Sequence, residues 1–117
     1  MVRLFAVFVL AGALTTLGAC LSERPTGPAE VVRGDSVVSM PGFTFTPFSL
    51  AIKVGGTVLF DFPSEPHNVI FAAVTGAPND IQATVNRIVA RRFDVIGEFP
   101  YDCTIHPGMS GEIIVEQ

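Results

Sequence analysis

The sequence predicts an all-β fold, a sandwich of short antiparallel strands, and three observations carry this prediction. From about Val31 onward apolar and polar residues alternate, which is the period of a half-buried strand. The 117 residues include 11 glycines and 9 prolines, as expected for strands joined by many turns, and only 15% of them are charged. Strands do not alternate with long helical segments, which disfavours a parallel sheet. A chain of this length builds one small domain.

The beginning of the chain predicts a lipoprotein signal peptide over residues 1–19. Arg3 precedes an apolar run over residues 4–14, and Leu17-Gly18-Ala19-Cys20 resembles the lipidation motif of bacterial lipoproteins. As a helix the run would be about 17 Å long, too short for a hydrocarbon layer of about 30 Å. We therefore expect export to the periplasm or cell surface and anchoring through a lipid on Cys20. An ordinary signal with a free cysteine and an uncleaved anchor are the open alternatives.

Residues 20–30 are predicted to form the lipidated cysteine and a flexible tether. The stretch has no apolar periodicity and contains two prolines and a glycine. Residues 21–30 reach at most about 33 Å when extended. The folded domain, residues 31–117, is thus expected to stay close to the bilayer.

Within that domain, alternating or apolar runs predict the strands in order. Gly55-Gly56 lies between two of these runs and predicts a hairpin turn. The predicted strands lie around residues 37–38, 43–45, 50–54, 57–62, 67–72, 99–103 and 111–116.

The stretch 77–92 gives a mixed signal. Apolar residues recur in it at helical spacing after Asn79 and Asp80, which are typical helix caps, yet many of them are β-branched. We expect a loop with at most one short helix, leading into a strand near residues 92–95. The arginines of this region, Arg87, Arg91 and Arg92, are expected to form a solvated face.

Charge and residue counts exclude several classes of protein. The net charge is −4, which argues against a nucleic-acid-binding protein, because such proteins normally carry a basic patch. Two cysteines and two histidines are too few for a scaffold of several disulfides or an array of zinc ribbons.

One constellation carries chemistry. Cys103, His106 and Met109 form the pattern C-x-x-H-x-x-M, and His67 opens a predicted strand upstream. A thiolate, two imidazoles and a weak axial thioether are the ligand set of an electron-transfer copper centre, because the sulfur ligands suit Cu(I) and the imidazoles also accept Cu(II). Singly, each residue is more often structural. Together they use both histidines and the only cysteine outside the lipidation motif.

The motifs extend beyond the ligands. Four motifs, which together span most of residues 35–117, are Phe43-x-Phe-x-Pro47, Ile52-x-Val-Gly-Gly-Thr-Val58, His67-Asn68-Val69 and Gly97-x-Phe-x-Tyr-x-Cys103-x-x-His106-Pro-Gly-Met109-x-Gly111. In these the chain resembles the plastocyanin-like blue (type 1) copper proteins, the cupredoxins, with a short ligand loop of the amicyanin type.

The resemblance implies a Greek-key β-sandwich of about eight strands that binds one type 1 copper ion. It implies His67, Cys103 and His106 as ligands, with Met109 axial. Around them Asn68 matches the position that braces the cysteine loop, and Thr104 and Pro107 are its expected companions next to the site.

The expected function is a membrane-tethered, monomeric electron carrier rather than an enzyme, because no histidines remain for a second copper site. Its expected partners are redox proteins, a cytochrome or a copper or haem oxidoreductase, which would meet the exposed edge of His106 within an apolar patch. A copper-binding or copper-delivery lipoprotein is the alternative. A structural protein with a Cys20–Cys103 disulfide is a further one, which lipidation of Cys20 would exclude.

Overall fold

The computed structural model describes residues 31–33 and 36–117, so the predicted signal peptide, Cys20 and the tether lie outside the described residues. The described residues form strands and turns without a helix, which confirms the all-β prediction. None of them forms a helix that is long and apolar enough to cross a membrane. The strands are β1 (Val31–Arg33), β2 (Val37–Ser39), β3 (Ser49–Lys53), β4 (Thr57–Phe62), β5 (His67–Phe71), β6 (Ile81–Thr84), β7 (Arg87–Arg92), β8 (Gly97–Asp102) and β9 (Ser110–Glu116).

The strands build two sheets, one in the order β1-β3-β9-β8-β5-β6 and the other in the order β2-β4-β7. Both sheets are mixed, because the pairs β1–β3, β3–β9 and β2–β4 are parallel. The two-sheet sandwich is as predicted, but its strands are not all antiparallel as the sequence suggested. From β1 to β4 the chain alternates between the two sheets. When it returns to a sheet it therefore runs in the same direction as before, which makes β1 parallel to β3 and β2 parallel to β4.

The glycine pair Gly55-Gly56 makes a turn, but the predicted hairpin is wrong. The turn carries the chain from β3 in the large sheet to β4 in the small one. The Gly55 amide donates to the carbonyl of Phe93 (2.7 Å), and the Phe93 amide donates to Gly56 (3.0 Å). Gly55 has φ +84°, and a Cβ on Gly56 would lie 2.8 Å from the Lys53 carbonyl oxygen, so the turn requires both glycines.

The stretch 77–92 forms strands β6 and β7, which corrects the expectation of a loop with a short helix. All six residues of β7 pair with β4, from Arg87 opposite Phe62 to Arg92 opposite Thr57. Asn86, with φ 48°, makes the turn between β6 and β7 that the helical interpretation did not foresee. The β-branched residues were the correct signal, because pairing with β4 outweighs helical spacing.

Two smaller expectations also change. The predicted strand at 43–45 is a loop, closed at its base by two hydrogen bonds of 2.8 Å between Ser39 and Thr46. The strand expected at 92–95 ends at Arg92, although Phe93 itself is fully buried.

The core lies between the two sheets and is rich in aromatic rings. Tyr101 of β8 packs edge to face against Phe45 and Phe60, with ring centroids 4.8 and 5.5 Å apart. A Cβ on Gly111 of β9 would lie 2.6 Å from the Tyr101 hydroxyl, so only glycine fits there. This packing fixes β8 and β9, the two strands that flank the ligand loop.

Candidate metal centre

Strand pairing brings the predicted ligands to one end of the sandwich. His67 opens β5, and Cys103 directly follows β8. These strands are antiparallel neighbours, with Ile70 opposite Asp102, so the start of β5 and the end of β8 lie at the same end of the sheet. The segment that contains His106 and Met109 connects β8 to β9 at that end. We call this end of the sandwich the site end.

The donor atoms of three side chains converge. The Cys103 Sγ atom lies 4.0 Å from His67 Nδ1 and 3.6 Å from His106 Nδ1. His67, Cys103 and His106 form a group whose ligand atoms all lie within 4.8 Å of one another. At metal–nitrogen and metal–sulfur bond lengths of about 2.0–2.3 Å, donors at these separations can share one ion.

The ligand loop is closed by its main chain. The Cys103 amide donates to the Met109 carbonyl (2.8 Å), and the Met109 amide donates to the His106 carbonyl (3.2 Å). Gly108 has φ +82°, a conformation that favours glycine at this turn. Met109 is 2% exposed, so its thioether is enclosed within the protein rather than in solvent.

Asn68 ties the start of β5, next to His67, to the loop that follows β8. Asn68 Nδ2 donates to Thr104 Oγ1, and the Thr104 amide donates to Asn68 Oδ1, both over 2.8 Å. Each partner is adjacent in sequence to a predicted ligand, His67 or Cys103. Pro107 lies on the exposed outside of the loop.

The two histidines differ in their surroundings. His67 is fully buried, and its Nε2 atom has no hydrogen-bond partner among the described residues. Burial lowers the pKa of His67 below its usual 6.5, and the nearby His106 lowers it further, while Glu65 opposes the shift. A neutral imidazole is the form that binds a metal.

The side chain of His106 is 18% exposed, and its Nε2 atom lies 3.7 Å from Glu65 Oε1. The Phe43 ring packs against it, with centroids 4.6 Å apart and planes tilted by 42°. This contact was missed in the sequence, where Phe43 belonged only to a family motif. Little in the sequence indicated this contact, because the loop that contains Phe43 is distant from His106 along the chain.

The donor set fits copper. Two imidazoles and a thiolate with a nearby buried thioether match the trigonal site with a weak axial sulfur that defines blue copper centres. The fold and this constellation define the class of the protein as a cupredoxin.

Comparison with known proteins narrows the class. No protein-family model matches the chain. It is 32% identical over 115 residues to amicyanin of Paracoccus denitrificans, and the match covers 95% of this chain and 88% of the relative. An oxidised methionine-to-leucine variant of amicyanin is similar in structure, with a TM-score of 0.62 and 32% identity over 68% of this chain and 80% of that chain.

A copper-containing nitrite reductase from Thermus scotoductus also shares the fold. The TM-score is 0.65 at 26% identity over 74% of this chain, which spans 28% of the length of that enzyme.

The chain belongs to the amicyanin family. Amicyanins are electron-transfer proteins and not enzymes, and they bind one type 1 copper ion. The protein is therefore a copper-containing electron carrier that exchanges electrons with redox partner proteins.

Proposed function

We propose that this chain is a membrane-tethered, monomeric carrier of single electrons whose copper ligands are His67, Cys103, His106 and, axially, Met109. The observation that carries the ligand assignment is the approach of three donor atoms, from two separate stretches of chain, to within 4.8 Å. The fourth ligand, Met109, is buried and bonded through its main chain to Cys103.

The residues around the site hold the ligands in place. Copper, when bound, supplies a centre that gains and loses one electron. His67 is fixed by burial in β5, and the hydrogen bonds between Asn68 and Thr104 link its strand to the cysteine loop. Because the scaffold sets the ligand positions, little rearrangement accompanies a change of charge, and the barrier to electron transfer stays small.

We assign the passage of electrons to the edge of His106. Its side chain is partly exposed, whereas His67 and Cys103 are buried. The exposed Phe43 ring (61%) packs on His106, and the exposed Ile105 (41%) directly precedes His106 in the loop. A small apolar surface gives a weak interface, which lets a carrier leave soon after transfer.

The proposed partners are a cytochrome or a copper or haem oxidoreductase. Glu65 beside His106 and the net charge of −4 would favour the approach of a basic surface. Such steering weakens as the ionic strength rises.

We also propose export and anchoring through Cys20. This rests on the sequence pattern over residues 1–20, an apolar run that ends in a lipidation motif. A lipid on Cys20 would hold the domain at the bilayer without a membrane-spanning helix, given at least two acyl chains.

Copper delivery is the second candidate, and the partial exposure of His106 is the observation that favours it. Delivery requires release of the ion to an acceptor. The burial of His67, Cys103 and Met109 opposes rapid release, so the electron carrier is the better supported function.

The test is reconstitution of the mature chain with Cu(II). We expect one equivalent of copper, an intense blue colour and the electron paramagnetic resonance spectrum of a type 1 site. Cys103→Ser should abolish the colour, because the thiolate is responsible for it, and His106→Ala should do so by opening the trigonal ligand set. Ser110→Ala, a matched substitution outside the ligand set, should remain blue. Colourless wild-type protein, or a blue Cys103→Ser variant, would refute the ligand assignment. Ready loss of Cu(I) to a competing chelator would favour delivery.

A further inference from the structure

The direction of β1 bears on how the anchored protein meets its partner. β1 runs parallel to β3, with Val31 opposite Ser49, and β3 runs parallel to β9. β9 begins at Ser110, immediately after Met109. The chain therefore enters β1 from the site end of the sandwich.

The strand register shows how far along the sheet, relative to the metal centre, the chain enters β1. Ser49 lies opposite Glu112 of β9, and Glu112 lies opposite Pro100 of β8, shortly before Cys103. Two strands separate β1 from β8 in the sheet, a distance across the sheet of roughly 14 Å at the usual strand spacing.

The opposite end of the sandwich is correspondingly distant from the point of entry. The longest strand, β9, has seven residues, or roughly 23 Å. A flexible linker of about ten residues, the length of 21–30, has an r.m.s. span of roughly 17 Å. Because this average span is shorter than the domain, the linker cannot bring the site end and the opposite end of the sandwich equally close to the membrane.

From these relations we propose that the site end faces the membrane and that the fitting partner is a redox protein bound to the same membrane, with its redox centre near the bilayer surface. The inference rests on the lipidation of Cys20 proposed above. The docking surface is the exposed apolar one that Phe43 and Ile105 form beside His106. Because electron transfer falls off steeply with distance, an anchor at the site end shortens the path to a membrane-bound partner.

A geometric test compares two exposed apolar positions. Phe48 (46% exposed) precedes β3 at the site end, and Ile96 (54% exposed) precedes β8 at the opposite end. In the lipidated Cys103→Ser background, a dye is attached to Phe48→Cys or to Ile96→Cys, and the protein is bound to phosphatidylcholine vesicles with and without a headgroup-linked quencher. We expect at least twofold stronger quenching at position 48. Equal quenching, or stronger quenching at position 96, would overturn the orientation.

A functional test moves the anchor. β9 ends opposite Lys53, away from the site end. In a Cys20→Ser chain, a cysteine is added after Gln117 through a linker of equal length and is coupled to a lipid. This variant is attached to the membrane at the end opposite the site end. The Cu(I) protein on vesicles gives one electron to a lipid-linked ferrocenium, which becomes ferrocene, and the return of blue colour is followed. The natural anchor should react several-fold faster, whereas a water-soluble ferrocenium should oxidise both proteins equally. Equal rates with the lipid-linked oxidant would refute the inference.

The lipidation itself is tested separately. Intact-mass analysis of the protein from its native membrane should show the added acyl chains on the mature chain. An unmodified mass would refute the anchoring, and with it this inference, and would leave the copper assignment to its own spectroscopic test.

Discussion

Asn68 and Thr104 are joined by two hydrogen bonds of 2.8 Å, one in each direction. The pair connects the residue after His67 with the residue after Cys103. Two of the proposed ligands are thus linked by hydrogen bonds between the residues next to them as well as by the sheet.

Asn68→Ala should loosen the site. It removes two partly buried hydrogen bonds, each contributing about 0.5–1.5 kcal/mol, so the free energy of unfolding should fall by roughly 1–3 kcal/mol. Urea denaturation of the copper-free protein measures this loss, and broadened electron paramagnetic resonance lines of the Cu(II) form should accompany it. Asn68→Asp keeps the acceptor for the Thr104 amide and should lose less. Unchanged stability and sharp lines would show that the pair does not hold the loop.

Met109→Leu should preserve the blue colour and raise the reduction potential. Three ligands remain, an arrangement that Cu(I) tolerates better than Cu(II), and the axial ligand tunes the potential of such sites. Met40→Leu is the matched control, because Met40 is equally buried (2% exposed) but lies outside the ligand set.

Both methionine substitutions conserve volume and should cost less than about 1.5 kcal/mol in stability. Voltammetry measures the reduction potentials of the two variants and so distinguishes the loss of a copper ligand from a change in core packing. A shift of equal size in both would remove Met109 from the ligand set.

Tyr101 should make the stability sensitive to alkali. Burial raises the pKa of its hydroxyl well above the usual 10.0, and Glu112 adds to the rise. The folded state keeps the proton that the unfolded state loses, so stability is fully present below about pH 10 and declines as the pH rises above it.

Tyr101→Phe should abolish this alkaline decline. It also removes a buried hydroxyl that has no partner among the described residues, so stability near neutral pH should be retained or increased. Urea midpoints between pH 8 and pH 11 test both effects. An identical decline in the variant would assign the titration to another group.

Phe43→Ala should slow electron exchange. The Phe43 ring packs on His106 and is 61% exposed, so its loss removes apolar docking surface and frees one face of the imidazole. Phe48→Ala is the control, an exposed phenylalanine (46%) outside the ring contacts of His106 that the structure shows.

Self-exchange measured by nuclear magnetic resonance should fall several-fold in Phe43→Ala and remain near the wild-type rate in Phe48→Ala. Equal rates in all three proteins would exclude Phe43 from the transfer surface.

The sequence was most informative where function is local. Cys103, His106 and Met109 lie within seven consecutive residues, and their side-chain types alone indicate copper chemistry. The strands on either side follow from alternation of apolar residues. The contact of Phe43 with His106 was not predictable in this way, because it joins two loops that only the finished fold brings together.

Strand pairing was the part that local patterns could not give. Gly55-Gly56 marks a turn, but a turn does not specify whether its flanking strands belong to one sheet or to two. In β7 the spacing of Ile88 and Val89 from earlier apolar residues suits a helix, yet the backbone pairs along its whole length with β4. Partners distant in sequence decided both outcomes.

The main-chain bond between Cys103 and Met109 has a consequence for variation of the protein. It fastens the two margins of the ligand loop to each other, so Ile105 and Pro107 between them can be exchanged with little disturbance to the β8–β9 ladder. Redox properties and partner choice can therefore diverge through these few exterior side chains while the supporting architecture is inherited unchanged.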